Sequence, residues 1–279
     1  MTICIGLLCE NRKSVVLVSD RMWTESSILY YEFEPDESKI EKLFHRAAVA
    51  TSGGVTIPSR VIKLTKGYIA EKFEEINSIE YVADILAHYY REERAKRIEE
   101  LYFRTRGLTI KDFYEGGKIG TLPPQLAQFL DERVSNFTLE LLMILGGIDD
   151  EGGHLYLIMD PGRHESFDKV GFVAIGTGDR HAELTLIQNE FRPTINLSEA
   201  VFYAFAAKKN AEHAPGVGKK TDIVILTEGD EGEGYIEIRE GDELIKYLCE
   251  MYEKIENDAL NHKKEIVREI KDINEFLKR

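Results

Sequence analysis

The chain has 279 residues, 43% of them hydrophobic and 31% charged, ample for the core of one large domain or two small ones. Its formal net charge of −14, with Lys and Arg interleaved among Glu rather than gathered in a stripe, argues against nucleic acid as a partner. No apolar run approaches a membrane span and the N-terminus lacks a basic region followed by an apolar one, so a cytoplasmic protein without a membrane partner is expected.

Short β-rich runs come first. Residues 3–9 (ICIGLLC) and 14–19 (SVVLVS) flank a turn-like ENRK and predict a hairpin, followed directly by Ser19-Asp20-Arg21. Residues 22–38 read as a strand, a polar turn around EPDES and a return. KIEKLF and AAVATSGG are two further strands, the second ending in glycines. From about Ser59 the period becomes helical, with Val61, Leu64, Tyr68, Phe73 and Ile76 on one face. A second helix carries Val82, Ile85, Leu86 and Tyr89 and extends toward Arg104. Residues 105–136 contain Gly-Gly and Pro-Pro, and a loop this long inside a compact domain is expected to hold a hairpin or short helix.

Two strands around an acidic, Gly-rich turn follow in LELLMILGGIDDEGGHLYLIMDPG, and then a strand in KVGFVAIGTG. Helices are predicted over about 179–191, with Leu184, Ile187 and Phe191 on one side, and over 197–212, where Asn196 and Glu199 resemble a capping box. DIVILT and YIEI are strands around EGDEGEG. From Asp242 onward one amphipathic pattern runs through Leu244, Leu248, Met251 and Ile255, and again through Ile266, Ile270, Ile273 and Leu277, a stripe suited to docking and open to a partner helix. The order of strands, two helices, strands, two helices, strands and helix, with hairpins predominating, predicts mainly antiparallel sheets layered against helices. A domain over 1–240, carrying an insertion at about 105–136, and a helical extension over 241–279 are the expected divisions.

Several patterns carry no chemistry. GVGKKTD (216–222) has the wrong spacing for a phosphate loop and precedes a strand instead of following one. GTGDRH (176–181) lacks the third glycine of a dinucleotide fingerprint, and DDEGG lacks the ligand spacing of a calcium loop. The seven histidines never fall at metal-ligand spacing on one helix face. Cys4, Cys9 and Cys249 are too few and too irregular for a disulfide framework or a zinc site, and nothing near Cys4 marks it as activated. No metal and no cofactor is expected.

Thr2 is different. Trimming of Met1 would leave its hydroxyl and a free α-amine on one residue, a nucleophile with a base attached. Such an amine titrates near ~8 and is a usable base at cellular pH. The chemistry also needs a cation beside the hydroxyl, a carboxylate to hold that cation, and a backbone N–H facing the developing oxyanion. Asp20 at the end of the second strand, Lys39 at the start of a later one, and Gly53 closing the strand from Ala47 supply those types in order.

With those residues in view, the chain resembles a proteasome β-subunit, or a close branch of that N-terminal-nucleophile hydrolase family. TICIGLLCENRKSVVLVSDR resembles the family's opening Thr-strand-hairpin-Asp-Arg segment. SKIEKLFHRAAVATSGG resembles its Lys-Ile strand, with the glycine fourteen residues after the lysine. LLMILGGIDDEGGHLYLIMDPG with FVAIGTGDRHAELTL resembles its Gly-Gly-x-Asp strand, partner strand and Gly-Ser-Gly turn. LSEAVFYAFAAKKNAEH with DIVILT resembles its closing helix and strand. Together the stretches cover roughly 180 residues.

The resemblance implies an α+β fold, a four-layer αββα sandwich of two mainly antiparallel sheets (the Ntn hydrolase fold). It implies Thr2 as nucleophile, Asp20 as the carboxylate orienting Lys39, Lys39 as the tuning cation, Gly53 as the oxyanion donor, and Thr177 where the family has a serine near the terminal amine. The implied activity is that of a threonine-nucleophile amidohydrolase, a peptidase working through an acyl-enzyme. A peptide ligase capturing the same acyl-enzyme with another amine, and an inactive scaffold, are the alternatives. The implied partners are a peptide or unfolded-protein substrate and further copies of the chain in a homo-oligomer, with room for a separate ATP-dependent unfoldase. One departure stands out. The family places Asp-x-x-Ser in the loop before its DIVILT-like strand, whereas this loop reads NAEHAPGVGKKT.

Overall fold

The computed structural model describes residues 2–25, 31–54, 56–229 and 234–269. They form two compact units, Met1–Glu237 and Ile238–Arg279. In the first unit β1 (Ile3–Cys9), β2 (Ser14–Ser19), β3 (Trp23–Glu25), β4 (Tyr31–Phe33), β5 (Ile40–Phe44) and β6 (Ala47–Ser52) lead into the helices α1 (Thr56–Glu71) and α2 (Ile79–Ile98). After α3 (Ile110–Tyr114) and α4 (Pro124–Asn136) come β7 (Leu142–Asp149), β8 (Gly152–Met159), β9 (Arg163–Ser166) and β10 (Phe172–Gly176). Then follow α5 (Asp179–Gln188), α6 (Leu197–Ala211), β11 (Asp222–Thr227) and β12 (Tyr235–Ile238). The helix α7 (Glu243–Arg268) makes up most of the second unit.

One five-stranded sheet has the order β10-β1-β2-β11-β12 and the other β5-β6-β7-β8-β9. The pairings through β10, β1, β2 and β11 and those from β5 through β9 are antiparallel, as the succession of hairpins predicts. Cys4, Leu8, Val15, Leu17, Val173 and Val224 of the first sheet meet Ala48, Ala50, Ile144 and Leu155 of the second in one buried layer. The outer face of the second sheet is covered by α1 and α2, and α6 lies on β1 and β2 with α5 beside it. The result is the four-layer αββα sandwich that the resemblance implies. β1 and β2 are buried along their whole length, because each is covered on both faces, which explains their unbroken apolar runs.

Two glycines on β7 show how closely the layers approach. A Cβ on Gly146 would lie 3.0 Å from Val15 of the first sheet, and one on Gly147 would lie 2.5 Å from Cδ1 of Ile79 at the start of α2. Only glycine fits both faces of the strand there.

Several expectations need correction. The return after residue 22 pairs Trp23 with Phe33, so the connection lies within 26–30, outside the described residues, and EPDES leads from β4 into β5. The buried side of α1 is Val61, Ile62, Thr65 and Ile69, while Leu64 and Phe73 are exposed. On α5 the small residues Ala182 and Thr185 face inward with Leu186, and Leu184 and Ile187 face outward. Close helix packing there selects small side chains over large apolar ones. β9 went unpredicted because its sequence RHES is polar and exposed at a sheet edge, with no apolar alternation.

The 105–136 segment holds two helices and no hairpin. A Thr109–Asp112 capping box starts α3, and Phe113 and Leu130 pack with Ile98 and Phe103 into a small core of their own. In α7 the stripe through Leu244, Leu248, Met251 and Ile255 lies on a continuous helix, with Ile255 and Ile266 half exposed. Ile270, Ile273 and Leu277 lie outside the described residues.

Candidate active site

Antiparallel pairing gathers distant parts of the chain at one end of the first sheet. Ile3 pairs with Gly176, Cys4 with Ser19, and Ser19 with Asp222. The residues just beyond these pairs, Thr2, Asp20, Thr177 and Thr221, therefore converge. The second sheet contributes from the same end, where the Thr51 N–H donates to the Lys39 carbonyl and the Cys4 thiol reaches the Thr51 carbonyl at 3.3 Å.

Thr2, Asp20 and Lys39 meet in a buried cluster. The Thr2 hydroxyl donates to Asp20 Oδ1 at 2.5 Å, and Lys39 Nζ donates to the same carboxylate oxygen at 2.7 Å. Lys39 also donates to Thr2 Oγ1 and to the Met22 carbonyl. An ammonium has three donors, and all three are used. The Trp23 ring lies 5.2 Å from Nζ and adds its π face to the cation's surroundings. Asp20 is held in turn by the backbone: the Ile3 N–H donates to Oδ1 at 3.2 Å and the Gly218 N–H to Oδ2 at 2.7 Å. Asp20 and Arg21 are both buried but divide their work. Arg21 makes a two-pronged bond to Asp222 at 2.8 and 2.6 Å and so ties the end of β2 to the start of β11.

Thr177 stands at the backbone of Thr2. Its hydroxyl oxygen accepts from the Thr2 nitrogen at 3.3 Å and lies 3.4 Å from the Thr2 carbonyl and 3.2 Å from that of Pro215. Gly53 follows β6 by one residue, two beyond the Thr51 that pairs with Lys39. Its φ of +142° is a backbone conformation only glycine adopts readily, and a Cβ there would meet the Glu140 carbonyl at 2.7 Å. All five residues singled out from the sequence thus stand at one end of the two sheets. Thr2, Asp20, Lys39 and Thr177 are linked by hydrogen bonds.

A hydroxyl between a carboxylate and an ammonium is set up for ionisation, because the cation stabilises the alkoxide and the carboxylate fixes the cation. Cys4 is close by but inert. Burial above all pushes its thiol up to about 12, outweighing the Lys39 charge.

Sequence reasoning missed the support structure. In that loop, where the resemblance implies an Asp-x-x-Ser, Glu212 is bound to Lys208 and Lys209, and His213 is exposed with Nδ1 3.0 Å from the Asn210 carbonyl. The loop serves the cluster through peptide groups, the Pro215 carbonyl at Thr177 and the Gly218 N–H at Asp20. GVGKKTD is no phosphate loop, yet it has a place in the site. The Arg21–Asp222 bond was half legible, as an aspartate opening an otherwise apolar strand.

No family model matches the chain. The chain is 31% identical over 182 residues to proteasome subunit beta 2 of Staphylothermus marinus, a match spanning 63% of this chain and 77% of that relative. It is 36% identical over 85 residues to proteasome subunit beta 2 of Pyrobaculum calidifontis, covering 30% of this chain and 40% of that one. Among solved structures, the Anbu (Gly-1) mutant from Hyphomicrobium sp. strain MC1 superposes with a TM-score of 0.63 over 98% of this chain and 99% of its own, at 15% identity, a likeness of fold. The sandwich, the order of its segments and a match across three quarters of a curated relative agree: this chain belongs to the proteasome β-subunit family, as a divergent branch of it.

Proposed function

We propose that the protein is a threonine-nucleophile amidohydrolase acting on peptides, with Thr2 as the nucleophile after removal of Met1. The observation that carries this reading is the Thr2 hydroxyl held between Asp20 Oδ1 and the Lys39 ammonium, inside a buried cluster. In the reaction Thr2 Oγ1 attacks the amide carbonyl carbon and its proton passes to the α-amine. The C–N bond breaks as the leaving amine takes that proton, and an ester remains on Thr2. Water then adds to the ester, giving a proton to the α-amine. The carboxylic acid departs and the proton returns to Oγ1.

Asp20 orients Lys39, and Lys39 stabilises the alkoxide. The Gly53 N–H faces the oxyanion, and Thr177 steadies the amine. The Met1–Glu237 unit carries this chemistry, and the protein assembles as a homo-oligomer, a proposal that its membership among β-subunits supports.

The test is the intact mass of the purified protein before and after a threonine-directed electrophilic peptide probe. Loss of Met1 and a single adduct on Thr2, absent in Thr2→Ala, are expected. Retained Met1 with no adduct would make the protein a scaffold built on the same sandwich. Capture of the acyl group by an added amine in preference to water would make it a ligase.

A further inference from the structure

Lys208 on α6 is a fully buried lysine that the proposed chemistry does not use. Its ammonium donates to Glu212 Oε1 at 2.6 Å and to the Lys219 carbonyl at 2.8 Å. Lys219 adjoins Gly218, whose N–H holds Asp20 Oδ2. On its other side the same loop is tied to Glu34, which accepts from the Lys220 N–H at 3.2 Å, while Lys220 Nζ donates to the Glu34 carbonyl at 3.3 Å. A methionine would fill the same volume without the cost of burying a charge. The polar reason for a lysine here is the loop carbonyl it holds.

We infer that Lys208 is a positioning residue that, by gripping the Lys219 carbonyl, fixes the Gly218 N–H on Asp20 and so sets the orientation of the Thr2–Asp20–Lys39 cluster. This rests on the reading of Thr2 as nucleophile for its catalytic consequence, but the grip itself does not. In this divergent branch a buried cation and a peptide group perform the support that side chains of an Asp-x-x-Ser would give. The charged groups around Lys208 are Glu212 and Lys209 on its own helix and Asp20 at the end of β2. Burial draws the ammonium below its ordinary value, against the pull of Glu212 and, more weakly, Asp20.

The experiment compares wild type with Lys208→Met and Lys208→Gln, with folding checked by near-UV circular dichroism. Gln keeps a donor for the Lys219 carbonyl but loses the charge. The first readout is hydrogen exchange of the Gly218 amide, which reports its hold on Asp20 whether or not Thr2 reacts. It should accelerate about tenfold in Lys208→Met and less in Lys208→Gln. The second is the pH profile of Thr2 labelling. The rate should fall about tenfold in Lys208→Met, and its acid limb should move to higher pH, because removing a cation makes the terminal amine easier to protonate. Unchanged Gly218 exchange in a folded variant overturns the inference, as does a wild-type pH profile. If Lys208→Met does not fold, Lys208→Gln decides: Gly218 exchange faster than in wild type supports the inference and wild-type exchange overturns it, while loss of folding in both overturns a positioning role in favour of a structural one. Failure of wild type to take the probe counts against the nucleophile reading and leaves the exchange result to decide on Lys208.

Discussion

At the residue scale, a second ionic cluster far along the chain from Thr2 sets a pH dependence. His154 on β8 is nearly buried, with Nδ1 2.7 Å from Asp168 and Nε2 2.9 Å from Asp149. Only the doubly protonated ring satisfies both carboxylates. Burial alone would push its pKa down, but the hydrogen bonds and charges of Asp168 and Asp149 outweigh burial and hold it above the ordinary 6.5. The folded state therefore binds this proton more tightly than the unfolded chain. The stabilisation is fully present below about pH 6.5 and fades as pH rises through the raised value. His154→Gln should lower the unfolding temperature most at pH 6, with the gap narrowing toward pH 9. Melting curves across that range check it, and a gap that widens with pH would contradict the assignment. Because the cluster joins the β1–β2 turn through Arg12, which donates to the Gly153 carbonyl at 2.8 Å, to the β7–β8 hairpin, the effect belongs to the sandwich and not to the candidate site.

At the scale of elements, β7 is gripped from both faces, and Gly147→Ala tests how tightly. Its Cβ would fall 2.5 Å from Cδ1 and 2.9 Å from Cγ1 of Ile79, so α2 or the strand must move, at a cost of about 1–3 kcal/mol. Adding Ile79→Ala should recover part of the loss even though Ile79→Ala alone is destabilising, and urea unfolding of the two singles and the double checks the sign of the coupling. The same element shows what a sequence yields. Its Gly-Gly pair was legible as a family landmark, while the reason for it, Ile79 on one side and Val15 on the other, needed the third dimension.

The core strands β1, β2, β10 and β11 announced themselves by apolar runs, and Thr2, Asp20 and Lys39 by residue type and order together with the family resemblance. The faces of α1 and α5 were misread because periodicity counts large apolar residues, whereas helix contacts there use Thr65, Ala182 and Thr185. Residues 139–141 read as the start of a strand, but the strand begins at Leu142 and the residues before it form the exit from α4. Arg94 holds the Val134 and Phe137 carbonyls at 2.8 Å, and Asp160 takes the Leu139 N–H at 3.1 Å, so the exit from α4 is pinned where Glu140 meets Gly53.

For the whole molecule, the candidate site is a property of the completed topology. Ile3 pairs with Gly176 and Asp222 with Ser19, so the cluster exists only once strands more than 170 residues apart in sequence have closed the first sheet. Labelling of Thr2 by the electrophilic probe should therefore vanish in the same denaturant transition that abolishes the far-UV circular dichroism signal. Loss of labelling well before that transition would mean the site melts on its own. The backbone support of Asp20 has an evolutionary consequence. A peptide N–H at Gly218 and a carbonyl at Pro215 can be supplied by many sequences, so the loop that steadies the cluster is free to drift wherever its path is kept. Lineages that move a supporting role from side chains to main chain erase the signature by which they would be recognised, and descent among them is then better traced by shape than by spelling.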